Sequence, residues 1–408
     1  MATMMCSAHR LFDGTGAATM TRPVVYIDGD RIESISSDAQ AVARVEHRAF
    51  PYCTILPGLI DTHVHLVFCA AETNEAVIEQ VARESNEELL ARALGNARAA
   101  LYAGVTTVRD CGGKGRIVQQ VRGAIRRGEA EGADVLSCGM PITTTRGHCH
   151  WLGLVADTYD EVGRAARRVL DEGADFLKVM ATGGNMTPSS DPMKAQYDDG
   201  ILRLIADIGR AAGRHSAAHV LSRAALPGVV AARYRTVEHC DWRIEENTYE
   251  FDAELARRLR DQEQYVGLTM SGTTRRAFIP QIAASTAGPV RRLDARFACE
   301  RRMIDAGVRY TLHSDAGVRW TPIERFALGL RTAVLELRLT PEEAIVAATR
   351  TAAEAIGQTD RGTLVPGKRA DLVVVEGNPL TDIACLERVR AVMKAGRWID
   401  LPPPSEAV

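Results

Sequence analysis

The sequence predicts an α/β chain: a closed (β/α)8, TIM-like barrel carrying a small β-sandwich built from both termini. Three observations predict it. Through the middle of the chain, a helical pattern is followed repeatedly by a short apolar strand. Eight such strands fall within about 260 residues, the length such a barrel needs. Both ends of the chain are rich in strand signals and lack that alternation. An open doubly wound sheet is the alternative, weakened because no Gly-rich phosphate fingerprint follows the first strand.

The elements follow in order. "PVVYIDGDRIESIS", with a turn at Asp28-Gly29-Asp30, reads as part of a small antiparallel sheet. "LIDTHVH" is the first barrel strand, "NEELLARALGNARAALYAG" leads into "VTTVRD", and "DVLSCGM" is the third strand. "YDEVGRAARRVLDEGA" then precedes "DFLKVM", "GILRLIADIGRAAGR" precedes "HSAAHV", and "SRAALPGVVAARY" precedes "RTVEHC". "FDAELARRLRDQEQ" before "YVGLTM" and "RFACERRMIDAGV" before "RYTLHSD" complete the eight. "ADLVVVEGNPL" and "VRAVMKAGRWID" return to strands, which sets the expected domains at 1–56 with 366–408 and at 57–365.

Bulk properties exclude several classes of function. With 46% hydrophobic and 25% charged residues over 408 positions, the chain has the composition of a soluble enzyme or binding protein. A net charge of −2 gives no electrostatic reason to bind nucleic acid or an anionic membrane. No apolar run approaches a membrane span, and the first residues lack the pattern of a secretory signal. Nine cysteines without a CxxC pair favour reduced thiols, so a cytoplasmic location is expected. Self-association is left open.

Barrel active sites lie at the C-terminal ends of the strands. His63 and His65 stand there on the first strand, two apart and so on one face. Lys178 lies in the fourth strand, and His219, His239 and Asp315 end the fifth, sixth and eighth. Any one of these reads equally well as a hydrogen-bonded core residue; together, at the same end of five strands, they read as a metal site. Four imidazoles and a carboxylate around an inward lysine suit two ions, if the lysine is carboxylated and its carbamate bridges them. Burial favours that chemistry by stripping the lysine of its proton. Nitrogen and oxygen donors point to Zn2+, with Mn2+, Co2+ or Fe2+ as alternatives. Arg243, Arg275 and Arg276 lie on loops after the sixth and seventh strands, where they could clamp a substrate carboxylate or serve as solvated charges. His313 shares a face with Asp315, as a partner behind the ligands.

"PGLIDTHVH", "FLKVMATGG", "AAHV", "VEHC" and "HSDAG" resemble the metal-site segments of the binuclear amidohydrolase superfamily. "LFDGTG" and "GTLVPGKRADLVVVEGNPL" resemble its flanking β-sandwich. "TTVRDCGG", "RGHCHWLG" and "KVMATGG" are closest to the imidazolonepropionase-related group, which includes Xaa-Pro and Xaa-Arg/Lys dipeptidases. The resemblance implies that His63, His65 and Asp315 bind one ion, His219 and His239 the other, and carboxylated Lys178 both. It implies a shared hydroxide, with Asp315 as proton shuttle, and substrate contacts from His148 and Tyr197. The expected activity is cleavage of a small amide, a dipeptide or N-acyl amino acid. Cyclic-amide, lactone, ester or xenobiotic amide hydrolysis are alternatives. Heterocycle deamination is disfavoured, because Lys178 is present and no glutamate follows His219 closely. "HCDWR" departs from the dipeptidase pattern, which has a small residue after the sixth-strand histidine.

Overall fold

The computed structural model describes residues 4–37, 45–279 and 289–403. The chain opens with β1 (Met4–Leu11), β2 (Met20–Thr21), β3 (Val24–Asp28), β4 (Arg31–Ser36) and the long β5 (Glu46–Pro57). The middle begins with β6 (Leu59–Val64), β7 (Val105–Asp110), β8 (Asp134–Ser137) and two short strands, β9 (Ile142–Thr143) and β10 (Leu154–Val155). It continues through β11 (Phe176–Met180), β12 (His215–His219), β13 (Thr236–Glu238), β14 (Arg243–Glu245), β15 (Thr248–Tyr249), β16 (Tyr265–Thr269) and β17 (Arg309–His313). β18 (Leu372–Glu376), β19 (Val389–Lys394) and β20 (Arg397–Trp398) end the chain.

The helices between the middle strands start where the sequence supplies caps. Ser85 caps Asn86–Tyr102 and Thr158 caps Tyr159–Asp171, and Glu88 and Glu161 complete a capping box at each. Asp198 and Asp252 cap Asp199–Ala211 and Ala253–Asp261. Each helix buries a stripe at spacings of three and four, such as Leu89, Ala93, Ala97, Ala100 and Leu101. Every residue of β6, β7, β11 and β16 is buried. That is why β11 and β16 read as near-continuous apolar runs.

Ten of the middle strands run parallel, but in two arcs. One is β6-β7-β8; the other is β11-β12-β13-β16-β17, extended at its edge by β9 and β10. The closed ring expected from the sequence is therefore not one continuous ladder. At the first seam β9 takes the place beside β11, with Ile142 opposite Val179. There β8 meets the second arc through a bond from Asp175 N to Ser137 O (2.8 Å). At the second seam, Asp315 N donates to His63 O (2.9 Å) and His65 N to Ala316 O (2.8 Å). These last bonds tie the two ligand-bearing segments together.

The termini form one sheet, in the order β20-β19-β18-β5-β1-β3-β4 with β2 beside β1. Two packed layers were expected; hydrogen bonding instead runs through without a break. The reason is β5, whose twelve residues pair in parallel with β1 on one side and antiparallel with β18 on the other. The sheet curls until its ends meet, Ile32 N donating to Lys368 O (2.9 Å). At that meeting Gly396 has φ +73°, and a Cβ there would lie 1.9 Å from Gly29 O. Only glycine fits. Among the described residues, no helix is long and apolar enough to cross a membrane.

Candidate metal centre

The site begins with the two histidines that end β6. His63 Nδ1 is 3.0 Å from Glu238 Oε2, and His65 Nδ1 is 3.0 Å from the Gly112 carbonyl. Each acceptor holds a proton on Nδ1 and so turns the Nε2 lone pair inward. Both Nε2 atoms face Asp315 Oδ1, at 3.5 and 3.3 Å. Ligands about 2.1 Å from a tetrahedral ion lie about 3.4 Å apart. The trio fits a divalent ion.

His219 and His239 form a second pair, with ring centroids 4.6 Å apart. His219 Nε2 lies 3.2 Å from Gly183 O, which leaves its Nδ1 as the donor to a metal. His239 Nδ1 shares a 2.7 Å hydrogen bond with Thr269 Oγ1, which leaves Nε2. Lys178 is 1% exposed, lines the same cavity, and has no ion-pair partner among the described residues. Burial, with smaller contributions from nearby cationic groups, pushes His63, His219 and His239 well below the ordinary imidazole value. They are neutral at pH 7, as ligands must be. Asp315 (φ +55°) and His239 (φ +66°) adopt left-handed backbone, costing about 1–2 kcal/mol each. Such strain is held at functional sites by surrounding structure.

Sequence reasoning placed His313 behind these groups but missed Glu238, Arg109 and Asp61. Glu238, fully buried, binds His63 and takes Arg109 Nη2 at 2.6 Å. Burial would raise its carboxyl, but Arg109 and Lys178 hold it down to about 2. His313 stacks on His63 with centroids 4.7 Å apart and reaches Thr269 Oγ1 at 3.2 Å. His63, Glu238 and His313 also form a close trio, but Arg109 and Thr236 already occupy that carboxylate. Asp61 accepts from His63 N (3.3 Å) and Ser314 N (3.1 Å), joining the β6 and β17 ends. The signal was present in "VRD" and "VEH": charges in a buried strand must be paired.

Above the metal-binding groups is a cavity of about 300 Å³, lined by His148, Lys178, Asp241, Arg243 and Arg296 among others. His148 stacks beside His219 at 4.5 Å. Two expected substrate contacts are not at this cavity. The Tyr197 hydroxyl donates to Ala156 O (2.8 Å), because the loop after β11 turns that ring into the core. Arg275 is fully buried, its Nε donating to Met270 O (2.8 Å), because the chain after β16 folds back against that strand's end. Arg276 is paired with Asp294 and Glu336.

Residues 54–399 match the amidohydrolase family. The chain is 28% identical to ochratoxinase of Aspergillus niger over 373 residues, 83% of this chain and 73% of that protein. It is 26% identical to imidazolonepropionase of Streptomyces griseus over 423 aligned positions, 98% of both chains. The crystal structure of a Xaa-Pro dipeptidase with bound methionine in its active site superposes with a TM-score of 0.83 at 24% identity. That superposition covers 97% of this chain and 99% of the other.

Proposed function

Because the chain belongs to the amidohydrolase family, hydrolases acting on carbon–nitrogen bonds, we propose that it cleaves a dipeptide or N-acyl amino acid at its amide. The observation that carries this reading is the convergence of two imidazoles on one carboxylate oxygen, at 3.5 and 3.3 Å, under a small cavity. Its volume sits at the bottom of the usual ligand range of about 300–1,000 Å³, which favours a small substrate. In this reading His63, His65 and Asp315 hold one divalent ion, foremost zinc, and His219 and His239 hold a second. Lys178, carboxylated, joins the two. When bound, such ions acidify a water and polarise the scissile carbonyl. Burial would raise the Asp315 carboxyl, but His65 brings it below the usual range. It is therefore ionised, takes the proton of the attacking water, and passes it to the leaving amine. His148, pushed by burial down to about 3, is neutral and offers an N–H to the carbonyl oxygen as charge develops there.

Opening of a cyclic amide is the second reading, favoured by the alignment with the Streptomyces enzyme over 98% of both chains. It uses the same groups. The two arcs of strands are read as one barrel spanning 57–365, beside the terminal sheet of 1–56 and 366–408. Nine free cysteines support a cytoplasmic location. Elemental analysis of loaded protein should give two ions per chain, and Lys178→Ala should give fewer and lose most turnover. A loaded wild type holding one ion or none, and inert on dipeptides, N-acyl amino acids and cyclic amides, would sink the reading.

A further inference from the structure

The segment after β13 is where this chain departs from the dipeptidase pattern, and it builds part of the cavity wall. "HCDWRIEENTYEF" folds back as the β14–β15 hairpin, with Arg243 directly opposite Tyr249. Paired residues of an antiparallel ladder share a face, and both line the cavity. Trp242, buried beneath, packs on Phe251 with centroids 5.0 Å apart and fixes the hairpin's base.

Arg243 is 2% exposed. Its Nε donates to Leu221 O (3.2 Å), while its Nη2 is buried without a hydrogen bond. No carboxylate lies within ion-pair distance of it among the described residues. Two other buried arginines are neutralised, Arg109 by Glu238 and Arg361 by Asp134, as is the partly buried Arg296 on the same cavity wall, by Asp241 and Glu300. Arg275 also has unpartnered Nη atoms but does not line this cavity. A buried, unpaired guanidinium at a cavity wall is a receptor for an anion, and its fork matches a carboxylate.

Among the described lining residues, the opposite charge is already engaged. Of the carboxylates lining the cavity, Asp315 faces the two histidines and Asp241 is tied to Arg296. Among the described residues, no carboxylate without a cationic or imidazole partner faces the cavity to hold a substrate ammonium.

We propose that the cavity selects N-acyl amino acids, with Arg243 receiving the carboxylate and, among the described residues, no unengaged acidic group for a free α-amino terminus. This rests on the amide-hydrolase reading and narrows it, from small amides generally to acyl-blocked amino acids. Three compounds separate the two claims: N-acetyl-L-phenylalanine, N-acetyl-2-phenylethylamine, which lacks only the carboxylate, and glycyl-L-phenylalanine, which adds the ammonium. The same trios built on leucine and methionine guard against a side-chain preference.

The metal-loaded full-length enzyme should favour the N-acetyl amino acid over its decarboxylated counterpart by about 10²-fold or more in kcat/KM, since a site built for a polar group rejects the analogue without it. It should also favour it over the dipeptide by about tenfold, as expected where a charge has no partner. Arg243→Gln should collapse the first ratio, and Arg243→Lys, which keeps the charge in case the glutamine variant misfolds, should retain part of it. Turnover with ratios near one would overturn the receptor while leaving the hydrolase reading intact. No turnover of any compound would overturn the hydrolase reading. The receptor would then be judged by melting temperature: N-acetyl-L-phenylalanine should stabilise wild type but not Arg243→Gln, and an equal or absent shift would overturn it.

Discussion

At the scale of single residues, the proposed reading gives proton transfer to Asp315 and alignment of His63 to Glu238. Asp315→Asn keeps the size and one oxygen of the carboxylate but cannot take a proton. It should lower kcat by about 10²-fold or more, while the melting curve stays close to wild type. Turnover within a few-fold of wild type on a confirmed substrate would remove Asp315 from the proton path. Glu238→Gln makes a different prediction. The amide is a weaker acceptor for His63 Nδ1–H and leaves Arg109 without its counter-charge. Outer partners of this kind are worth about 10–100-fold in metal affinity. A competition titration with a coloured chelator should show that loss, and unchanged affinity would mean that His63 is oriented by something else.

At the scale of elements, the left-handed backbone at His239 does what no regular strand could. Alternation would send consecutive residues to opposite faces; φ +66° at His239 lets Glu238 and His239 both reach His63. The terminal sheet depends on a similar exception. Gly396→Val would combine a left-handed φ with a Cβ 1.9 Å from Gly29 O, so the ends of the sheet could not meet as they do. A loss of about 2–3 kcal/mol or more is expected, the scale of strained backbone plus overpacking, read as a lower denaturant midpoint. A variant as stable as wild type would show that the turn can relax at little cost.

At the scale of the whole molecule, one largely buried cluster fastens the terminal sheet to the arc of β6, β7 and β8. Asp134, at the start of β8, takes Lys394 Nζ and Arg361 Nη1, each at 2.8 Å, and also Arg369. Burial would raise its carboxyl, but these three cations bring it well below the ordinary value of 3.8. A lowered folded-state pKa stabilises the fold above the unfolded value, and that gain disappears as pH falls toward the folded value. Asp134→Asn should therefore cost about 3 kcal/mol near neutral pH, the scale of breaking a buried ion pair. The gap in melting temperature between variant and wild type should stay constant above pH about 4 and narrow below it. A gap independent of pH down to 2 would show that the carboxylate's charge is not what joins the two parts.

The run of middle strands, several helix starts and the six residues that together line the cavity were legible in the sequence, because each is written in local periodicity, in caps such as Ser85 with Glu88, or in placement in or at the end of a strand. Lys178 between apolar neighbours announced itself by the cost of burying a charge. Where side chains went after leaving their strands was decided only by tertiary structure. Tyr197 and Arg275 stand in loops expected at the cavity, yet both turn into the core, since no periodicity constrains a loop residue. Arg243 could not be told from a solvated arginine until the β14–β15 hairpin buried it without a carboxylate partner among the described residues. The two seams between the arcs likewise depend on where β9 inserts and how residues 315–316 meet β6, contacts between segments far apart in the chain. Local sequence determines which elements form and which chemistry they carry. Long-range packing decides which of those groups share a cavity, because burial and pairing depend on every neighbour at once.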